Sequence, residues 1–225
     1  AVEYAKTSGR RLRFAPSGLG LITSLVYLVL YAPIVVLVVL SFNSSRFSTI
    51  WQDFTWRWYA LAWRDAELVG ALRMSLIVAF STTVLATLIG TAAALALTRY
   101  RIKLRRLTET IVFLPVIIPE IVIGFATAGM FGLLGLAFGL GTIIAAHVAF
   151  ALSYVVFIVR ARLANMNTTL EEAAMDLGAT RWQTFLKVTL PLMLPAIASA
   201  GLLVFTISLD DYVITSFVAG PGATT

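Results

Sequence analysis

Carboxylate side chains interrupt two long apolar stretches of this 225-residue chain. Glu120 lies in one stretch, and the consecutive pair Asp210 and Asp211, followed by Tyr212, lies in the other. A charge in apolar surroundings costs free energy, so such residues usually face a water-filled path or a charged partner. They could bind a cationic solute, helped by a cation–π contact with Tyr212, or pair with backbone or with a basic residue of another subunit. We favour the first alternative, with the aspartates at the outer end of a path and Glu120 deeper.

The composition indicates the solvent in which these stretches fold. Hydrophobic residues make up 60% of the chain and charged residues 12%, whereas a soluble globule of this size needs a more charged exterior. We therefore predict an integral membrane protein surrounded by a lipid bilayer. The lack of cysteine and the single histidine argue against a metal centre. The net charge of +6 does not indicate nucleic acid, because the basic residues lie between the apolar runs.

Several apolar runs reach the length of about 20 residues that a helix needs to cross the hydrocarbon core. They are residues 19–42, 71–98, 108–134, 139–159 and 192–218. The alternation typical of membrane strands is lacking, so the predicted fold is an all-α polytopic bundle. On a continuous third helix Glu120 would lie about 18 Å from the helix start, near the midplane. Adjacent helical residues point about 100° apart, so one of Asp210 and Asp211 should line the path while the other contacts a neighbouring helix. His147, in the fourth run, is predicted to be a packing residue with one hydrogen bond.

The distribution of lysine and arginine predicts the orientation. Basic residues cluster in segment 1–18, in the second connection (99–106) and in the fourth (160–191), which places these three in the cytoplasm. The third connection has no lysine or arginine. The first connection, 43–70, carries both basic and acidic residues, and the alternation of successive connections places it on the outer side of the membrane. That outer loop is rich in aromatic residues, which are typical of an aromatic belt at the lipid headgroups. A surface for a delivery protein is the alternative.

The fourth connection has the sequence pattern of two short helices. Thr169 and Glu172 have the spacing of a capping box that starts the first helix, and Gly178 suits the left-handed position that ends it. Thr180 repeats the start signal, and Leu190-Pro191 is expected to end the second helix because the residue before proline disfavours the α conformation. The sequence therefore predicts a helix–glycine–helix knuckle in the cytoplasm.

The knuckle resembles a known signature. Glu172-Ala173-Ala174, then Gly178, then Val188-Thr189-Leu190-Pro191 are similar to the cytoplasmic motif of ABC importer permeases, which usually has isoleucine in place of Val188. The resemblance implies a coupling helix that docks on an ABC ATPase dimer. The implied contact set is Glu171, Glu172, Ala173, Ala174, Asp176, Gly178 and Ala179. The chain has no glycine-rich phosphate loop, so we expect no catalysis and no cofactor here, with ATP and Mg²⁺ on the partner ATPase.

A closer resemblance is to the putrescine/spermidine importer permeases. It is carried by residues 41–47, Pro119-Glu120, Ser208-Leu209-Asp210-Asp211 and the segment 216–225, although relatives often have aspartate in place of Glu120. The resemblance implies a type I importer fold in a bacterial inner membrane, with a sixth span expected beyond the five visible. The implied partners are a second, homologous permease subunit and a periplasmic polyamine-binding protein.

On this basis the chain divides into a cytoplasmic N-terminal segment (1–18), a permease domain (19–218) with its coupling loop (160–191), and a periplasmic end (219–225). The same carboxylates would also suit a stand-alone cation channel or carrier. An importer for another small solute is a further alternative. A docking knuckle favours the importer, because a channel has no use for a loop that engages an ATPase.

Overall fold

The computed structural model describes residues 18–46, 50–100 and 103–220. Residues 1–17 of the predicted N-terminal segment (1–18) and residues 221–225 of the predicted periplasmic end (219–225) therefore lie outside the described residues. Across the described ranges the chain is helical, and its β pairing is limited to an isolated bridge between Asn43 and Phe54. The helices are α1 (Gly18–Leu40), α2 (Arg57–Arg64), α3 (Ala66–Arg99), α4 (Arg105–Ile117), α5 (Glu120–Leu133), α6 (Leu140–Ala164), α7 (Thr169–Asp176), α8 (Arg181–Thr184), a π-helical segment (Phe185–Thr189), α9 (Leu190–Asp210) and α10 (Val213–Val218).

The predicted all-α membrane fold is confirmed. Four stretches are long and apolar enough to cross a bilayer: α1, α3, α6, and the continuous run Arg181–Asp210 that includes α8 and α9. The bent pair of α4 and α5 brings the number to five if it forms one span. These stretches correspond to the five apolar runs of the sequence.

The third predicted span is broken rather than continuous. Helices α4 and α5 are bent by 116°, and Ile118 and Pro119 between them are extended, with ψ angles of 136° and 139°. Pro119 has no amide hydrogen to continue the helix and disfavours the α conformation at Ile118. Glu120 consequently begins a new helix, and the prediction of a continuous third helix is wrong.

The fifth predicted span differs at both ends. Pro191 does not end the preceding helix, as the sequence suggested, but occupies the first turn of α9, where its missing amide hydrogen costs little. The π-helical segment connects α8 to α9 without a break in the helix, because the Leu190 amide bonds to the Phe185 carbonyl five residues back. At the other end α9 ends at Asp210, and Asp211 is extended with ψ 105° before α10 begins.

The described residues up to Asp65 form a compact unit of their own. Within it, Asn43 is 1% exposed and fixes the loop after α1: its side chain donates to the Ile50 carbonyl at 2.7 Å and accepts from the Gln52 amide at 2.9 Å. The indole of Trp58 donates to the Asn43 carbonyl at 2.7 Å. Phe42 stacks on Phe54 with ring centroids 5.3 Å apart. The described part of the loop after α1 is thus an aromatic cluster held by one buried amide.

Residues 66–225 form the second unit, whose centre is the packing of α3, α6 and α9. Small and β-branched side chains fill this core, among them Ala94, Val155 and Val204. Gly90 is buried in α3, and a Cβ there would lie 2.7 Å from two side-chain atoms of Val155 on α6. The absence of a side chain at Gly90 therefore sets the close approach of α3 to α6.

Candidate functional site

The predicted glycine turn of the knuckle is confirmed. Gly178 has a φ of +89°, a conformation that L residues with a side chain seldom adopt. Its amide bonds to the Met175 carbonyl at 2.9 Å, and the Ala179 amide bonds to the Ala174 carbonyl at 3.0 Å. This pair of bonds is a Schellman motif that satisfies the last carbonyls of α7. The glycine thereby reverses the chain between α7 and α8.

The two predicted helix starts have different outcomes. Thr180 and Gln183 form the capping box of α8: the Gln183 amide donates to Thr180 Oγ1 at 3.3 Å, and the Thr180 amide donates to Gln183 Oε1 at 2.9 Å. The predicted box between Thr169 and Glu172 is wrong, because the Thr169 amide donates to Asn167 Oδ1 at 3.0 Å instead. The asparagine side chain thus precedes the helix and takes the acceptor role.

The outer surface of the knuckle is both apolar and acidic. None of its α7 residues is buried, and Leu177 is 90% exposed and Trp182 66% exposed. Glu172 and Asp176 are also exposed. Large exposed apolar side chains next to charged ones are typical of a surface that binds another protein.

Glu171 faces the opposite way from this surface. Its Oε1 accepts from Arg99 Nη2 at 2.6 Å and from Thr189 Oγ1 at 2.8 Å, and its side chain is 17% exposed. Arg99 is the last residue of α3, and Thr189 is the last residue of the π-helical segment. Glu171 therefore joins α7 to the bundle, a contact that the sequence did not predict.

The carboxylates at the end of α9 occupy contrasting environments. Asp210 is exposed, whereas the Asp211 side chain is 3% exposed. Asp211 Oδ1 accepts from the Ile214 amide at 2.9 Å, and Oδ2 lies 3.5 Å from His147 Nε2. Asp211 thus fixes the start of α10 and contacts α6, whereas Asp210 and the 73% exposed Tyr212 lie at the surface of the chain.

His147 has more partners than the one hydrogen bond that we predicted. Its Nδ1 lies 2.8 Å from Ser208 Oγ, and its Nε2 lies 2.9 Å from Thr215 Oγ1, in addition to the Asp211 contact. The histidine side chain is 2% exposed. It therefore joins α6 to both α9 and α10 through a buried polar cluster, and the prediction of a single bond is wrong.

Glu120 lies in the first turn of α5 and is exposed. One turn later, Gly124 faces α10: a Cβ there would lie 2.7 Å from the ring of Phe217 and 3.3 Å from the Cα of Ile214. The start of α5 is thus placed by close packing against the helix that follows Asp210 and Asp211. Among the residues that the structure describes, no group of histidine and acidic side chains is arranged to hold a metal ion.

Several helices long and apolar enough to cross a bilayer, together with an exposed helix–turn–helix knuckle, define a polytopic membrane protein. Comparison with known proteins gives the family: residues 86–225 match the binding-protein-dependent transport system inner membrane component, and the chain belongs to that family. It is therefore a multi-pass component of an inner membrane.

Two relatives share 41% sequence identity with the chain. One is the spermidine/putrescine transport system permease protein PotC of Escherichia coli (strain K12), aligned over 87% of this chain and 74% of its own length. The other is the putrescine transport system permease protein PotI of the same strain, aligned over 87% and 72%. The predicted resemblance to polyamine importer permeases is confirmed.

The fold is also found in a solved structure. A bacterial ABC transporter involved in the import of the acidic polysaccharide alginate superposes with a TM-score of 0.70 at 17% sequence identity, over 92% of this chain and 78% of that one. This likeness shows the fold of an ABC importer permease, as predicted. At this identity it indicates nothing about the solute.

Proposed function

We propose that this chain is a permease subunit of an ABC importer that moves polyamines across the inner membrane by alternating access. The observation that carries the proposal is the 41% identity, over 87% of the chain, to permeases named for spermidine and putrescine. The partners are a second permease subunit, an ABC ATPase dimer and a periplasmic binding protein. ATP and Mg²⁺ bind the ATPase subunits, while this chain is not catalytic and holds no cofactor.

The exposed face of the knuckle is the ATPase-docking surface in this proposal. It presents the apolar side chains of Leu177 and Trp182 beside the carboxylates of Glu172 and Asp176. Small side chains lie between these residues, namely Ala173 and the half-buried Ala174 and Ala179. Because alanine side chains are short, another backbone can approach this part of the surface closely. Docking on the cytoplasmic side places the N-terminus in the cytoplasm, in agreement with the distribution of basic residues.

The substrate path runs along the exposed carboxylates. Asp210, Glu120 and Tyr212 are exposed and offer negative charge and an aromatic face to a diammonium ion. Asp211 has a different role: it accepts the Ile214 amide and contacts His147, and so fixes the break that presents Asp210. Specificity for a polyamine thus depends on Asp210, and the shape of the site depends on Asp211.

The test is uptake of labelled putrescine and spermidine by proteoliposomes that contain the complete importer. Asp210→Asn removes one charge-assisted contact, worth roughly 1.5–3 kcal/mol, and should lower uptake about tenfold or more without changing the melting temperature. Asp211→Ala leaves the Ile214 amide without its acceptor and should lower the melting temperature. Asp211→Asn keeps an acceptor oxygen and should restore most of that loss.

Two outcomes would refute the proposal. Uptake of a neutral sugar in preference to both polyamines would assign the importer to another solute. Polyamine flux through the chain alone, without an ATPase subunit or ATP, would make it a channel or carrier instead. Unchanged uptake by Asp210→Asn would remove Asp210 from the path.

A further inference from the structure

We infer that Glu171 is a positioning residue that transmits movement of the docking helix α7 to the transmembrane bundle. The inference rests on the proposed function, because it assumes that an ATPase moves the knuckle. It concerns the side of α7 that faces away from the ATPase. Nothing in the description of the family or of the relatives assigns a role to this contact.

The geometry consists of one carboxylate oxygen with two donors. Glu171 Oε1 lies 2.6 Å from Arg99 Nη2 and 2.8 Å from Thr189 Oγ1. The Thr189 residue is 5% exposed, and the Glu171 and Arg99 side chains are 17% and 28% exposed. Bonds between charged partners with little access to water are among the strongest polar contacts in a protein. Any displacement of Glu171 therefore acts on both donors.

The two donors lie at the ends of segments that lead into the centre of the bundle. Arg99 ends α3, and Thr189 ends the π-helical segment from which α9 continues. Both helices pack against each other and against α6 in the centre of the second unit. A shift of α7 is thus passed to α3 and α9 through a single side chain.

Apolar packing does little to attach α7 itself. None of its residues is buried, and its close neighbours in the described part of the chain are α8 and the π-helical segment, which follow it in sequence. Without a polar contact, the helix could tilt on its hinge at Gly178 while the bundle stayed in place. The bond to Arg99 prevents this, because it ties α7 to a helix that is distant in sequence.

Two consecutive glutamates therefore have separate tasks. Successive helical residues point about 100° apart, so Glu172 lies on the exposed face while Glu171 points toward the bundle. Thr189 ends a π-helical segment between two α-helices, and such segments, which are rare in general, are frequent at functional sites. We therefore expect the bundle to change its conformation at this segment when movement of α7 displaces Glu171.

The experiment uses the complete importer in proteoliposomes and measures polyamine taken up per ATP hydrolysed. Glu171→Gln keeps an acceptor for Thr189 but removes the charge that Arg99 binds. The ratio should fall roughly fivefold, the upper end for an ion pair that keeps some contact with water. The ATPase subunit should still co-purify in wild-type amount. The exchanged pair R99E/E171R should recover much of the lost ratio.

Glu109→Gln is the matched control. Glu109 also accepts from an arginine at 2.6 Å, that of Arg160, and its side chain is 27% exposed. Its ion pairs with Arg105 and Arg160 lie on α4 and α6 and do not involve α7. The same loss of charge there should leave the uptake per ATP unchanged.

Three results separate the possibilities. A wild-type ratio in Glu171→Gln would overturn the inference while leaving the proposed function intact. Loss of the ATPase subunit from Glu171→Gln would also overturn it, because Glu171 would then be a docking residue. If no ATPase co-purifies with the unmodified chain, the proposed function itself fails.

Discussion

The turn at Gly178 permits a sharp test of the docking surface, because its backbone conformation can be changed without adding a clash. Its φ is +89°, and a Cβ at this position would meet nothing within 4 Å. Gly178→Ala therefore adds no steric conflict inside the chain and acts only on the backbone. A residue with a Cβ in the left-handed region costs about 1–2 kcal/mol.

This cost should appear in the affinity for the ATPase subunit. The free knuckle is exposed and α7 has no buried residue, so the loop of Gly178→Ala can relax to another turn. Docking then has to restore the strained conformation. At about 1.4 kcal/mol for each factor of ten, the expected loss of affinity is about fivefold to thirtyfold.

The assay is titration of the purified permease complex in nanodiscs with ATPase subunits. Gly178→Asn is the control, since asparagine tolerates the left-handed region better than alanine and also occurs at helix C-termini. It should lose less affinity than Gly178→Ala although its side chain is larger. Equal affinity of Gly178→Ala and the wild type, or a greater loss for Gly178→Asn, would refute the argument from backbone conformation.

Two further substitutions test the packing of the bundle. Gly90→Ala should lower the free energy of unfolding by about 1–3 kcal/mol, because the new methyl group overlaps a side chain of α6. Gly129→Ala is the control: a Cβ at that position has nothing within 4 Å, so the substitution should be neutral or stabilising. His147→Leu removes the ring nitrogens that contact Ser208 Oγ and Thr215 Oγ1. Thr215 Oγ1 still donates to the Asp211 carbonyl at 3.2 Å, so the buried hydroxyl of Ser208 is the group left unsatisfied, at a cost of about 1–3 kcal/mol. Thermal unfolding in detergent measures both, and wild-type stability of either Gly90→Ala or His147→Leu would contradict the packing described.

The sequence predicts the fold well because its main signal is local. Apolar runs of sufficient length identify the membrane segments regardless of how they pack. The turn at Gly178 and the capping box at Thr180 were also predictable, since each depends on residues within three or four positions. The break before Glu120 was predictable in principle from Pro119, but an uninterrupted apolar composition favoured a continuous helix.

The site was less predictable because its contacts join residues that are distant in sequence. Arg99 and Glu171 are 72 positions apart, and His147 and Thr215 are 68 apart. No periodicity connects such residues, and either glutamate of the pair at 171 and 172 could have faced outward. The π-helical segment could not be predicted from the sequence either. Proline at position 191 indicates the end of a helix and gives no sign of the wider π-helical turn that precedes it.

The length of α3 has a consequence for the lipid environment. Its 34 residues extend about 51 Å, well beyond a hydrocarbon core of about 30 Å. Arg73 and Arg99 stand about 39 Å apart along it, close to the full thickness of a bilayer with its headgroups. A guanidinium group at each phosphate layer would anchor the protein vertically. In a thinner membrane α3 would have to tilt, whereas a thicker membrane would have to thin around it. In a thinner membrane the knuckle tied to Arg99 would therefore change its height above the lipid.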